Sequence, residues 1–563
     1  MSTEASHVVS GKEETYEVEV KGRRDPTPLA VIIENVGEAP VINPRLTVNG
    51  RYDWYSREAM AREVTRGCET DEEKAFALWR HFRETRYQLG NGDDSTLHPV
   101  RYLCVYGYGI CGHTAAAFVS LCQAAGLRAR VYEIWHHTVS EVFYDDAWHM
   151  LDSNVKAFYP AWDNRSVASM EQLEQDPGLV RRCYPPGKNP RVMIAQWYAT
   201  SDDNFIQHGY DREAFQDYTL GITLRPGERL VRSWKSVGKF YGKGRRRTPS
   251  LSANGELVYV PPLSSPAFLQ GISANRQNPF NMTTVATDGQ KPNLHVLRKH
   301  DSVYDCPSHW WVDVTSPYVI VGGRLRARLG KGGNSRYDRL SLGLSVRRGG
   351  EGRPLWEAEG TGDFALDMNL DEHFQREGLP PVYGYSLRFQ AFAARGAAQP
   401  VQSGIEELEL TSDIQVAPKS LPALGLGANV VHYWDESTDG RQVRITFLYD
   451  EHDDYAPPER PVLREPADGE TVAGLAPRLA WDLARDPDGH GVSDYYIQVS
   501  PNPRCIWPIS ANFEGSLGPA TEFPAPEGWL LPGKTYYWRV KAQGTNGPWG
   551  DWSPVRSFRT PAG

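Results

Sequence analysis

Residues 106–137 read YGYGICGHTAAAFVSLCQAAGLRARVYEIWHH. Gly107, Gly109 and Gly112 surround one cysteine, Cys111, just where an apolar stripe of helical period begins. The stripe is Ala115, Phe118, Val119, Cys122 and Ala125; it predicts a helix over 112–125, stopped by Gly126. At a helix start unpaired N–H groups converge and the dipole is positive, so a thiolate is favoured and the thiol pKa falls. The same amides can hold an oxyanion forming on an attacked carbonyl. The flanking glycines let a backbone approach closely. Cys111 therefore reads as a nucleophile. Cys122, on the stripe, and Cys104, in the apolar run before the loop, read as packed core.

A nucleophilic thiol needs a base, and the base needs a group to orient it. Three strand-like runs follow the helix: ARVYEIW, TVSEVFY and AWHMLDS. If Asp145-Asp146 is a two-residue hairpin turn, Tyr144 pairs with Ala147, His137 lies opposite Asn154, and Asp152 is its diagonal neighbour. His137 and Asp152 then share a face, with Trp148 and Met150, while His136 and His149 point the other way. A three-residue turn would put His137 and Asp152 on opposite faces.

The combination Gly109-Ile110-Cys111, Ala125-Gly126-Leu127-Arg128-Ala129-Arg130-Val131, His137 four residues before Glu141-Val142, and Trp148 before Asp152 resembles the transglutaminase-like superfamily, the papain-related thiol enzymes. A helix ending at Tyr87 fits the family's lead-in helix, and the resemblance spans roughly residues 55–220. It implies Cys111 as nucleophile, His137 as general base and acid, and Asp152 as orienter. Gly112 stands where animal transglutaminases carry tryptophan, and Thr138-Val139 follows His137 where Ala-Trp is common. The calcium-site pattern of those enzymes is not recognisable. These departures weigh against amine cross-linking, so hydrolysis of carboxamide or peptide bonds is the expected activity.

Two other readings stand beside it. One is a polysaccharide-directed lyase acting on uronic-acid-containing glycans, with His137, Tyr106, Tyr108 or Tyr159 as base and Arg130 or His113 near the carboxylate. The other is a non-catalytic binding protein on the same scaffold. Candidate substrate contacts are Tyr106, Tyr108, His113, His136, Trp148 and Tyr159. Cys104, Cys111, His113 and Cys122 lack metal-ligand spacing, so neither a metal nor a cofactor is expected. The expected partner is a protein, peptide or polysaccharide substrate.

The 563 residues exceed one compact core, and about three or four domains are expected. With 52 Gly, 41 Pro, 28 Tyr and 17 Trp, strands and turns dominate outside a smaller helical part. A net charge of −9 argues against nucleic acid as partner. The one basic cluster, Lys239, Lys243 and Arg245 to Arg247, reads as a solvated loop. Seven scattered cysteines, with no CxxC pair, imply no disulfide framework. No apolar run approaches a membrane span. The polar start, MSTEASHVVSGKEETYEV, shows no secretory signal; as written the chain reads as cytoplasmic, and as secreted or periplasmic had a signal been removed.

The expected fold class is α+β: a transglutaminase-like (papain-like) core followed by β-sandwich domains. Residues 1–54 read as an N-terminal β segment, 55–225 as the core, 226–455 as a β-rich sandwich region and 462–563 as a fibronectin type III-like domain. Thr70 with Glu73 gives a capping-box signature, and Ala75, Trp79 and Phe82 form the stripe of the helix behind it. The segment 452–469, rich in charge and proline, reads as a linker. The β modules resemble accessory domains of bacterial carbohydrate-active enzymes. Tyr241, Trp310, Trp311, Trp549 and Trp552 could stack on sugar rings, although packing in a core is the commoner use of such residues.

Overall fold

A computed structural model describes residues 2–183, 197–198, 205–207, 217–242, 252–263, 265–274, 287–288, 291–297, 308–332, 339–346, 352–375, 378–392, 403–438, 440–509 and 514–563. Lys243, Arg245 to Arg247 and Cys306 lie outside these residues, as does the side chain of Trp310.

Helices cluster early. α1 runs Arg57–Val64 and is capped by Ser56, whose hydroxyl accepts the Ala59 N–H at 3.2 Å. α2 runs Asp71–Thr85. Thr70 accepts the Glu73 N–H at 3.2 Å, and the Glu73 carboxylate reaches back to the Glu69 N–H at 2.6 Å, one residue earlier than the capping box requires. Its stripe, Ala75, Phe76, Leu78, Trp79 and Phe82, is fully buried. α3 runs Cys111–Ala124, with Gly126 at φ 84° just beyond its end. α3 packs on an antiparallel sheet in the order Ala147–Met150, His137–Tyr144, Arg128–Ile134, Phe205–Gln207. Phe118, Leu121 and Cys122 share one core with Val131, Val142 and Tyr144.

This helical unit is inserted into a β-sandwich. Ser2–Val9 and Thr27–Asn35 both pair with Val443–Asp450, and Thr27–Asn35 also pairs with Glu228–Ser233. Glu13–Val20 and Arg45–Val48 flank Gly427–Trp434 in a second sheet. The chain leaves the sandwich after Val48 and re-enters it at Thr223–Leu224, which pairs with Val41–Ile42. From Glu228–Ser233 the larger sheet continues through Ala253–Tyr259, Ser403–Val416, Ser308–Lys331 and Val382–Phe392. The first 54 residues and the strands before Asp450 thus close one body around the insertion.

The C-terminal part is a second sandwich with its own core, built on Trp481, Tyr495, Ile497, Trp538, Val540 and Phe558. Thr535–Gly544 shows the period-two pattern, burying Tyr536, Trp538, Val540 and Ala542.

The expected α+β class is corrected by this architecture: strands hold 43% and helices 16%, so the protein as a whole is mostly β. Helical periodicity is confined to the insertion, whereas the sequence on both sides alternates with period two and has short turns. Among the described residues no helix is long and apolar enough to cross a membrane.

Candidate active site

Cys111 is the first residue of α3, and Ile110 before it is extended (φ −93°, ψ −179°). The approach to it is tightly built. Arg101–Tyr106 forms a π-helical turn ended by Gly107 at φ 70°. Gly109 has no room for a side chain: a Cβ there would lie 2.4 Å from the Tyr102 ring and 3.0 Å from the His113 Cβ. The Tyr102 ring is held by a 2.8 Å hydrogen bond between its hydroxyl and that of Thr114, on α3.

His137 opens the strand beside α3, and a two-residue turn, Trp135-His136, joins it to the preceding strand, with Ile134 paired to His137. The next hairpin turns at Asp145-Asp146, both with positive φ (47° and 59°), and Tyr144 pairs with Ala147. The predicted register is the observed one as far as Met150 opposite Glu141. After Leu151, whose N–H donates to Ser140 O at 3.0 Å, the chain leaves the ladder. Asp152 instead bridges Ala157 through two main-chain hydrogen bonds of 2.9 and 3.0 Å. That turn, not a longer strand, carries the carboxylate to His137.

The imidazole Nε2 and Asp152 Oδ2 are 2.7 Å apart, and both residues are buried. Oδ1 of Asp152 accepts the N–H groups of Asn154 and Val155 at 2.8 and 2.9 Å. The Trp79 indole N–H donates to the Asp152 carbonyl at 3.1 Å. With Nε2 committed to Asp152, Nδ1 is the ring nitrogen left to serve the Cys111 thiol.

Charge follows from this packing. Burial pushes the Cys111 thiol up, but the hydrogen bond and charge of His137, with hydrogen bonds from Thr138, outweigh it and hold the thiol below its ordinary value. Burial pushes His137 down; the Asp152 charge and hydrogen bond, aided by Cys111, raise it to about 10. Asp152 is held low against its burial by His137 and Tyr198. Burial pushes Cys68, Cys104 and Cys122 the other way, upward. Cys111 is half-buried, not sealed in the core.

Two residues here carry no signal in the sequence. Tyr198 donates its hydroxyl to Asp152 Oδ2 at 2.6 Å, and the Trp197 ring lies 5.2 Å from that of His137. No spacing rule links them to residues so far back in the chain. Trp135, 41% exposed beside the His137 strand, was equally silent.

The six candidate contacts are dispersed. Tyr106 and Tyr108 are buried between the inserted unit and the sandwich. Tyr106 donates to Asp93 Oδ2 at 2.7 Å, an oxygen also bound by Tyr383, and Tyr108 donates to Tyr241 O at 3.0 Å. His113 is buried against Gly109, and among the described residues its Nδ1 has no partner. Burial keeps it below the usual histidine value, against the nearby charges of Asp94 and Asp93. His136 is exposed in its turn with φ 57°, its ring 4.4 Å from that of Trp135. Trp148 pairs with Phe143, six residues along the strand from His137 and so about 20 Å away; Arg130 stacks on it at 4.0 Å while ion-paired to Glu141 at 2.6 Å. Tyr159 is buried edge-on against Tyr198, at 5.3 Å.

Elsewhere, Lys239 is held by Asp371 and Asp413 at 2.8 and 2.6 Å. Lys541 lies 5.0–5.3 Å from the ring centres of Tyr496, Trp549 and Trp552, and Arg539 4.4 Å from that of Trp552, so these faces are already occupied by cations. Asp486, Asp488 and His490 converge in one turn, but Asp486 accepts the N–H groups of Asp488 and Gly491, and Asp488 is paired with Arg23.

Residues 58–153 match the family model of the transglutaminase-like superfamily. The chain carries a transglutaminase-like core. Residues 467–562 match the Rha78A-like N-terminal immunoglobulin domain, so the C-terminal sandwich is immunoglobulin-like. No curated protein matches the chain. Among solved structures, the spore cortex lytic enzyme SleM of Clostridium perfringens is similar at 13% identity over 22% of this chain and 34% of that one, with a TM-score of 0.14. A Fn3-like protein from Clostridium thermocellum is similar at 18% identity over 19% of this chain and 94% of that one, with a TM-score of 0.13. The β-1,2-glucanase of Parabacteroides distasonis is similar at 10% identity over 56% and 37%, with a TM-score of 0.14. The chain spans about a third of the length of SleM, the first of these.

Proposed function

We propose that the protein is a cysteine-dependent acyl hydrolase that cleaves carboxamide or peptide bonds. The observation that carries this reading is the buried 2.7 Å bond between His137 and Asp152 beside α3, the helix whose first residue is Cys111. A thiolate formed by proton transfer to His137 attacks the substrate carbonyl. The α3 amides face the oxygen that becomes negative. His137 then gives its proton to the leaving amine, a thioester remains on Cys111, and water activated by His137 releases the acid. Asp152 keeps the imidazole oriented and stabilises its charged form throughout.

The phenols of Tyr106 and Tyr108 are engaged with Asp93 and Tyr241, and Arg130 with Glu141, so no observation favours the lyase reading. The test is a substrate screen over proteins, peptides and acidic polysaccharides with wild type and Cys111→Ala side by side. The expected result is amide or peptide cleavage that Cys111→Ala abolishes while the melting temperature stays nearly unchanged. Turnover retained by Cys111→Ala, or unsaturated uronide products insensitive to thiol alkylation, would overturn the proposal.

A further inference from the structure

We infer that Trp507, supplied by the C-terminal immunoglobulin-like domain, is a positioning residue for Asp152; this rests on the thiol-enzyme reading above. Trp507 is 1% exposed, yet it packs among residues of the transglutaminase-like core instead of those of its own domain. Its ring stacks on Phe76 (5.9 Å, 18°) and stands edge-on to Phe158 (5.8 Å, 81°). Phe76 and Phe158 both lie edge-on to Trp79, at 6.2 and 5.3 Å.

These aromatic neighbours hold Asp152 from two sides. Trp79 donates to the Asp152 carbonyl at 3.1 Å. Phe158 directly follows Ala157, the residue bridged to Asp152 by two main-chain hydrogen bonds. A close-packed interior passes a vacancy on as displacement. Loss of the Trp507 ring therefore loosens both supports of the turn that aims the carboxylate.

The domain is fastened for this role. The Trp507 indole N–H donates to Glu72 at 2.8 Å, Arg80 donates to the Cys505 carbonyl at 2.8 Å, and Arg504 pairs with Glu73 at 2.6 Å. These contacts all reach α2, the helix that carries Phe76 and Trp79. The C-terminal domain is on this account a wall of the catalytic unit and not a tethered accessory module.

The experiment follows alkylation of Cys111 by iodoacetamide against pH, read by mass spectrometry on the Cys111 peptide, in the full chain. Wild type is compared with Trp507→Ala, Trp507→Phe and Leu479→Ala, the last a cavity in the C-terminal core away from the aromatic stack. The expected result is a rate at neutral pH about tenfold lower in Trp507→Ala, with the acid limb of its profile moved toward the ordinary thiol value. Trp507→Phe should recover most of the rate and Leu479→Ala should keep the wild-type profile. A folded Trp507→Ala with the wild-type profile overturns the inference while leaving the thiol-enzyme reading intact. A wild-type Cys111 that alkylates no faster than a free thiol overturns both. Should Trp507→Ala fail to fold, Trp507→Leu and Glu72→Ala carry the same comparison, and unshifted profiles in both overturn the inference.

Discussion

Tyr198 and His137 bind the same oxygen: Asp152 Oδ2 accepts the phenol at 2.6 Å and faces the imidazole at 2.7 Å. With two backbone N–H groups on Oδ1, the buried carboxylate has its lone pairs filled. A charge taken out of water is tolerated on those terms. The result is an anion fixed in one orientation, able to hold a protonated imidazole next to a sulfur.

Substitutions at the two ends of this arrangement should differ in size. Tyr198→Phe removes one donor but leaves the charge, His137 and both backbone donors in place. Turnover should fall by about tenfold, the lower end of what one hydrogen bond to a charged group contributes. Asp152→Asn removes the charge that stabilises the imidazolium, and turnover should fall by more than about a hundredfold while slow alkylation of Cys111 persists. Steady-state rates with thermal melts decide it; an Asp152→Asn protein that unfolds would make the residue chiefly structural.

The pH dependence follows from the raised and lowered groups. His137 is raised from 6.5 to about 10, so its contribution to stability is complete below 6.5 and is lost as pH rises through about 10. Cys111 is lowered from 9.0, so its contribution is complete above 9.0 and is lost as pH falls through the lowered value. Between the lowered thiol value and about 10 the pair is thiolate and imidazolium. Turnover should therefore rise with an acid limb below 9.0 and fall as pH passes about 10. In His137→Gln the onset of Cys111 alkylation should move up toward 9.0, and the melting-temperature difference from wild type should shrink above pH 10. An alkylation onset unchanged by His137→Gln would mean that the two groups do not interact.

What the sequence disclosed was local. Thr70 and Glu73, the stripe of α3, the stop at Gly126 and the turn at Asp145-Asp146 are each decided by residues a few positions apart. The strand register, with side chains alternating by two, holds as far as Met150 opposite Glu141, and the turn bridging Asp152 to Ala157, which no period announces, brings the carboxylate to His137. Pairings made over long distances left no period to read. Ser2–Val9 beside Val443–Asp450 is one, Tyr198 on Asp152 a second, and Trp507 within another domain's core a third. The helical motif also weighed more in the reading than in the chain, which is why the class came out as α+β for a mostly β protein. Tyr106 and Tyr108, expected among the substrate contacts, are buried. A tyrosine is buried readily once its hydroxyl has a partner, and Asp93 and the Tyr241 carbonyl supply those partners.

Gly109 gives the sharpest steric prediction. A Cβ there would fall 2.4 Å from Tyr102 Cε2 and 3.0 Å from the His113 Cβ. Tyr102 cannot swing aside freely, because it is buried and its hydroxyl is bonded to Thr114 at 2.8 Å. His113 belongs to the first turn of α3. The strain in Gly109→Ala must therefore pass to the backbone around Ile110 and Cys111. We expect a loss of about 1–3 kcal/mol in stability, the usual range for overpacking. Cys111 alkylation near neutral pH should slow at the same time, because the sulfur is displaced from His137. Chemical denaturation and the alkylation rate, measured on one preparation, check both. A Gly109→Ala protein of wild-type stability would mean that the Tyr102 ring does not press on this position.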